Sequence, residues 1–289
     1  MEAKIQSSWS AVQDHTRHFS DFTFVYPVIS RRSQGLSIGV NLNPDKACNF
    51  NCIYCEVDRR IPGVAKEVDL GQMKDELTAM VRLAKDGDLA KEPKFNEAPR
   101  LTREVKDIAF SGDGEPTMIN NFADCVETVV EVQQSESLEE AKIVLITDAA
   151  GLDKTDVQRG LGIMDAHNGE VWGKLDAGTE AYYNTVNRSS VKFERIQNNL
   201  LETAKARPII IQSLFLKVHG QTMDAPELGA YCGRLNALTT GGAQISEAHM
   251  YTVARPTPEA YAEKLEAEVL EDMADQVRKE TGLEVVVFP

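Results

Sequence analysis

Short apolar runs alternate along the chain with longer stretches whose apolar residues recur at helical spacing. Leu36–Asn43 is a short apolar segment, and Val105–Phe110, Ala141–Ile146, Val171–Leu175, Ile209–Leu216 and Ala248–Val253 read as strands. Val68–Lys85 carries Leu70, Met73, Leu77, Met80, Val81 and Leu83 at helical spacing. Helices are also predicted over Asn121–Gln134, Asp156–Ala166, Lys192–Ala206 and Pro226–Leu238. A long amphipathic helix is expected over Glu259–Thr281, then a last short strand over Glu284–Phe288. Residues 86–104, polar and holding Pro93 and Pro99, read as a long irregular connection.

Strand and helix alternating in this way argue for parallel βα units. Six such units before the tail predict an α/β fold, a partial TIM-type (β/α)6 barrel with an N-terminal extension and a C-terminal helix and short strand. The expected division is an extension over 1–30 and a barrel domain over 31–289. A chain of 289 residues with 42% hydrophobic content can build a core of that size. In such barrels functional groups gather at the C-terminal ends of the strands. Each apolar run here stops at, or contains, polar groups able to face one mouth.

The net charge of −14, with an isoelectric point near 4.9, makes direct nucleic-acid binding unexpected, since phosphate contacts need a basic face. No apolar run approaches the about 18 residues that span a bilayer, and the N-terminus lacks a basic-then-apolar signal pattern. No membrane association is expected, and the cytoplasm is the expected compartment.

The candidate chemistry is concentrated in the run Lys46-Ala-Cys-Asn-Phe-Asn-Cys-Ile-Tyr-Cys-Glu56, where Cys48, Cys52 and Cys55 have the spacing C-x3-C-x2-C. Three thiolates so close can hold three irons of a [4Fe–4S] cluster and leave the fourth iron open. A zinc site would show a second cysteine pair or a downstream H-x3-5-H pair. The five histidines, His15, His18, His167, His219 and His249, offer none. A disulfide framework suits small secreted chains, not a large chain with five cysteines. The other two, Cys125 and Cys232, fall in helical patterns and read as core residues.

One strand later comes Ser111-Gly-Asp-Gly-Glu-Pro-Thr117. Its glycines allow a close backbone approach, and the Glu115 carboxylate can accept from an ammonium group. By itself this is a Gly/Asp/Pro turn. The cysteine spacing, with aromatic Tyr54 just before the third cysteine, resembles the signature of the radical S-adenosylmethionine (SAM) superfamily. Gly112-Asp113-Gly114-Glu115-Pro116 resembles the superfamily's Gly-Gly-Glu-Pro motif, in the version of the branch related to tRNA wyosine synthases. The segment Tyr26-Pro-Val-Ile-Ser-Arg-Arg is similar to that branch too.

The resemblance implies two cofactors, a [4Fe–4S] cluster on Cys48, Cys52 and Cys55 and SAM chelating the open iron. It implies a radical SAM enzyme that cleaves SAM reductively to a 5′-deoxyadenosyl radical, which abstracts hydrogen from an unidentified substrate, a small molecule being favoured. Ser111, Gly112, Asp113, Gly114 and Glu115 would hold the methionine end of SAM, with Tyr54 against the adenine. Thr147, Lys174, Asp176, Arg188, Gln212 and Arg255 are strand-end or loop candidates for SAM or substrate contacts. Structural salt bridges and exposed caps are the plain alternatives for the charged ones. The pairs Arg31-Arg32 and Arg59-Arg60 are basic spots suited to an anionic substrate or an acidic flavodoxin- or ferredoxin-type electron donor. Two remaining cysteines are too few for the auxiliary cluster of the wyosine synthases, so the wyosine reaction does not carry over. An activating enzyme or RNA modifier working with a protein partner, and a non-enzymatic metal or redox sensor, are the alternative readings.

Overall fold

A computed structural model describes residues 5, 9–14, 17–64, 67–255 and 257–289. His15 and Pro256 lie outside the described residues. The chain forms two compact units.

The first unit holds the described residues up to Ala47, Pro62–Ile146 and Lys154–Glu170. It contains α1 (Ser10–Gln13), β1 (Val25–Ser30), β2 (Gly35–Val40), α2 (Leu70–Asp86), β3 (Val105–Phe110), α3 (Phe122–Ser135), β4 (Lys142–Thr147) and α4 (Thr155–Asp165). The strands follow the order β1-β2-β3-β4. β1 runs antiparallel to β2, and β2, β3 and β4 are parallel. β1 forms the end of the expected extension and was not predicted as a strand. Pro27 within it removes a backbone donor, which suits a strand paired on one side only. Its entry is fixed by Glu76 of α2, a buried carboxylate that accepts from the backbone N–H groups of Thr23, Phe24 and Val25 at 2.9, 2.7 and 3.2 Å.

α2 begins at Asp69, whose side chain caps the Gln72 N–H, and ends at Gly87 in the left-handed region. Its predicted apolar face is largely inward: Met73, Leu77, Met80 and Val81 are buried. The 86–104 connection contains two 3-10 turns, Leu89–Lys91 and Pro93–Phe95, and buries Leu89 and Phe95.

Asp107 sits mid-strand in β3, buried and hydrogen-bonded by Ser37 of β2. Burial pushes its carboxyl up from the ordinary value of 3.8, against the hydrogen bonds from Ser33 and Ser37 and the charge of Arg32. The folded state therefore keeps the proton to higher pH than the unfolded chain, and stability falls as pH rises from 3.8 through the raised value. Asp107→Asn is expected to flatten that part of the profile. Its stability relative to the parent should rise between acid and neutral pH, read as a growing difference in urea midpoint.

The second unit holds Cys48–Ile61, Thr147–Asp153 and Val171–Pro289. Its elements are β5 (Gly169–Lys174), α5 (Glu180–Val186), α6 (Phe193–Ala206), β6 (Ile209–Leu214), β7 (Lys217–Val218), α7 (Ala225–Thr240), β8 (Ile245–Tyr251), β9 (Ala262–Glu263), α8 (Ala267–Thr281) and β10 (Val285–Phe288). β5, β6, β8 and β10 lie side by side in that order and all parallel. β7 and β9 form a separate antiparallel ladder. The predicted helix over Glu259–Thr281 is corrected by this ladder. Residues 262 and 263 pair with β7, and the helix starts only at Ala267. α5 was also not predicted.

The six predicted parallel strands are all present as β2, β3, β4, β5, β6 and β8. The fold class is the expected α/β one, with strand–helix units of the TIM-barrel kind in both parts. Cys125 and Cys232 are buried helix residues, as expected. Burial pushes both thiols up to about 12. Among the described residues no helix is long and apolar enough to cross a membrane.

Candidate functional site: the cysteine loop and the glycine turn

In the second unit the cysteine loop is pinned by α5 and the residues just after it. Thr179 caps α5 by accepting from the Tyr182 N–H, and buried Glu227 of α7 accepts from the Gly178 and Thr179 N–H groups and the Thr179 hydroxyl. From the end of α5 the Val186 and Asn187 carbonyls accept the N–H groups of Ile53 and Asn51, at 2.9 and 3.0 Å. Ser189 donates to the Asn49 carbonyl. Phe50 packs its ring edge against Tyr183, which stacks on Phe193. Thr179 ahead of an acidic first turn was the available sequence signal for α5, but a seven-residue helix has too little periodicity to stand out.

Each cysteine sulfur in the loop receives an N–H donor. The Phe50 backbone N–H reaches Cys48 Sγ at 3.4 Å. Asn187 Nδ2 lies 3.5 Å and Lys174 Nζ 3.8 Å from Cys52 Sγ. Arg59 Nη1 lies 3.2 Å from Cys55 Sγ. No disulfide ties up any of the three. Burial pushes the Cys52 thiol up, while Lys174 and Asn187 act in the opposite direction.

Behind Cys52 lies a buried polar cluster. Asp176 accepts from the Leu214 N–H at 3.0 Å, from Asn187 Nδ2 at 2.7 Å and from the Tyr54 hydroxyl. Lys174 Nζ donates to the Tyr54 hydroxyl at 2.5 Å and stands 3.6 Å from the Asp176 carboxylate. Burial works against the Lys174 charge, but Asp176 and the nearby thiols outweigh it and hold the ammonium well above the ordinary lysine value. Burial also raises Tyr54, and Asp176 adds to that, so its hydroxyl stays a donor. Lys174, Asp176 and Tyr54, three of the sequence candidates, thus form one cluster against a cysteine.

The other candidates of this unit lie around that cluster, Gln212 as the register partner of Lys174 across β5 and β6. Arg188, with φ of 45°, donates to the Asn51 carbonyl and pairs with Glu259, both at 2.7 Å. Arg255 grips Glu56, the residue after Cys55, through Nε at 2.7 Å and Nη2 at 2.5 Å. Both arginines brace the loop. Gln212 is buried on β6, and its backbone carbonyl accepts from the Leu175 N–H. Thr147 is buried, with its hydroxyl accepting from the Ala149 N–H. Asn187 and Arg59 are the sulfur partners that sequence reading did not assign.

In the first unit the Ser111–Thr117 turn folds onto residues 41–47. The Asp113 carboxylate accepts from Asn41 Nδ2 at 2.7 Å and from Arg17 at 3.2 Å, and its N–H donates to Asn41 Oδ1. Ser111 Oγ lies 3.0 Å from the Tyr26 hydroxyl. A Cβ on Gly112 would stand 2.4 Å from Asn41 Oδ1, and one on Gly114 only 1.9 Å from the Ala47 carbonyl oxygen. The Glu115 N–H donates to that carbonyl at 3.0 Å. The Glu115 carboxylate caps the following 3-10 turn by accepting from the Thr117 N–H and hydroxyl. The glycines thus let the turn lie against the segment that precedes Cys48.

Among the described residues no three His, Cys, Asp or Glu side chains converge as the ligands of one ion do. A four-iron cluster makes a different demand, because each thiolate takes its own iron and the sulfurs stand apart. Three unbridged thiols, each with a donor on its sulfur and carried on a pinned backbone, fit that demand.

No family model matches the chain. Over 178 residues it is 27% identical to a protein named GTPase Obg of Brachyspira hyodysenteriae, covering 61% of this chain and 22% of that protein. It is 29% identical over 104 residues to a UPF0026 protein of Helicobacter pylori, covering 36% of this chain and 29% of that one. A UPF0026 protein of Methanocaldococcus jannaschii is 26% identical over 163 residues, 56% of this chain and 43% of that one. These matches span less than half the length of each curated relative. The chain has no Gly-x4-Gly-Lys-Ser/Thr phosphate loop to set beside the name of the first. Among solved structures, TYW1 with a lysine-pyruvate adduct bound superposes with a TM-score of 0.54 at 16% identity, over 86% of this chain and 75% of that one. The chain has the TYW1 fold. At this identity the likeness concerns the fold alone.

Proposed function

We propose that the chain is a radical SAM enzyme acting on a small-molecule substrate. The observation that carries the reading is the cysteine loop, with three unbridged thiols spaced C-x3-C-x2-C and an N–H donor on each sulfur. Cys48, Cys52 and Cys55 would hold a [4Fe–4S] cluster and leave one iron without a cysteine. When bound, such a cluster would supply the electron that reductive cleavage of SAM needs, and SAM the group that takes a hydrogen atom from the substrate.

The chain's own residues bind and orient. Donors on the sulfurs stabilise the thiolate form that iron requires. Asp176 and Asn187 fix the loop behind Cys52, and Lys174 holds a positive charge there. The Gly112–Glu115 turn takes the amino-acid end of SAM through its backbone groups, since the Glu115 carboxylate already caps the Thr117 turn. The electron comes from a flavodoxin- or ferredoxin-type donor. The cytoplasm, where thiols stay reduced, suits both the donor and the site.

Anaerobic reconstitution with iron and sulfide tests the site. Four irons and four sulfides per chain are expected, together with an electron paramagnetic resonance (EPR) signal after dithionite that changes on adding SAM. One zinc per chain, or a signal indifferent to SAM, would count against the reading.

A further inference from the structure

Resting on that reading, we propose that Arg59 tunes the reduction potential of the site by laying its guanidinium on the Cys55 sulfur. Arg59 Nη1 is 3.2 Å from Cys55 Sγ. Its Nε is buried and makes no hydrogen bond. Buried guanidinium nitrogens are ordinarily paired, so leaving one unpaired is a cost that the contact with sulfur must offset. Among the described residues no carboxylate neutralises this side chain. The neighbouring Arg60 behaves otherwise: it is 88% exposed and lies on Asp58. Lys174 near Cys52 also differs, because it shares its charge with Asp176. In a chain of net charge −14, Arg59 is thus a cation committed to a cysteine sulfur.

Hydrogen bonds and positive charge at cluster sulfurs favour the form carrying one more electron. Arg59 therefore makes one-electron reduction by a low-potential donor easier, without contacting substrate. It is a positioning and tuning residue. Sequence reading gave the Arg59-Arg60 pair a role in steering partners, whereas the geometry separates the two arginines.

The test is an EPR-monitored redox titration, with dithionite as the reductant, of reconstituted wild type, Arg59→Gln, Arg59→Leu and Arg60→Gln. Iron and sulfide contents are measured first. In the Arg59 variants the reduced-to-oxidised ratio at a fixed poise should fall roughly tenfold, a shift of about 59 mV for a one-electron couple. Arg60→Gln should titrate with wild type. Loaded Arg59 variants that also titrate with wild type would overturn the proposal. So would failure of both Arg59 variants to load, since the residue would then be part of the loop's fold. A wild-type chain that takes up no four-iron cluster is a separate outcome, and it counts against the site reading itself.

Discussion

Asp176→Ala is expected to destabilise the protein by about 3–5 kcal/mol, because breaking a buried ion pair from one side leaves the other charge uncompensated. Asp176 is fully buried at its side chain, whereas Lys174 keeps 17% exposure. That partial access to water favours the lower half of the range. The variant also strands the Leu214 N–H and removes the acceptor that holds Tyr54 and Asn187. Since Asn187 and Val186 receive the Asn51 and Ile53 amides, the loss should spread to the cysteine loop. Urea unfolding reads the stability, and hydrogen exchange over residues 49–57 reads the loop. Asp176→Asn keeps an acceptor for Leu214 and should cost less. An alanine variant with parental stability and loop protection would show that the cluster braces nothing.

Gly114→Ala is the second large effect. The added Cβ would stand 1.9 Å from the Ala47 carbonyl oxygen and 2.6 Å from Asn43 Cβ, so backbone has to move. Overpacking of this kind costs about 1–3 kcal/mol, and contact with backbone rather than a flexible side chain puts this site near the upper end. The displaced segment is the one that leads into Cys48, so metal loading should suffer as well. Gly162 of α4 supplies the contrast. A Cβ there meets nothing within 4 Å, and Gly162→Ala should stabilise by about 0.5–1 kcal/mol through helix propensity. Thermal unfolding of the two variants side by side gives opposite signs if the glycine turn is as tight as described.

The parallel strands were legible because each is a short apolar run bounded by polar turns. The main helices were legible because periodic residues such as Met73, Leu77 and Met80 mark their inner faces. β1 was not, since Pro27 speaks against a strand when the pairing partner is unknown. The start of α8 was misplaced because Glu259–Leu265 is rich in helix-forming residues, while its actual partner, β7, lies far upstream. Propensity is local and ladder pairing is not.

The candidate site divides in the same way. Cys48, Cys52, Cys55 and the glycine turn stand out through spacing, which sequence records directly. Asn187 reaches Cys52 across 135 residues, and no local pattern announces such a contact. Arg188, a loop arginine whose planar fork suits a carboxylate or phosphate, and Arg255, at a strand end, are candidates for ligand contacts by sequence. Here they hold Glu259 and Glu56 and brace the loop from outside.

The most direct test of the central claim is product analysis of SAM turnover. Reconstituted protein, dithionite and SAM are incubated without oxygen, and 5′-deoxyadenosine is measured by mass spectrometry. The account predicts 5′-deoxyadenosine from wild type and none above background from Cys52→Ala. A Cys52→Ala variant that still cleaved SAM, or a fully loaded wild type that never did, would contradict it.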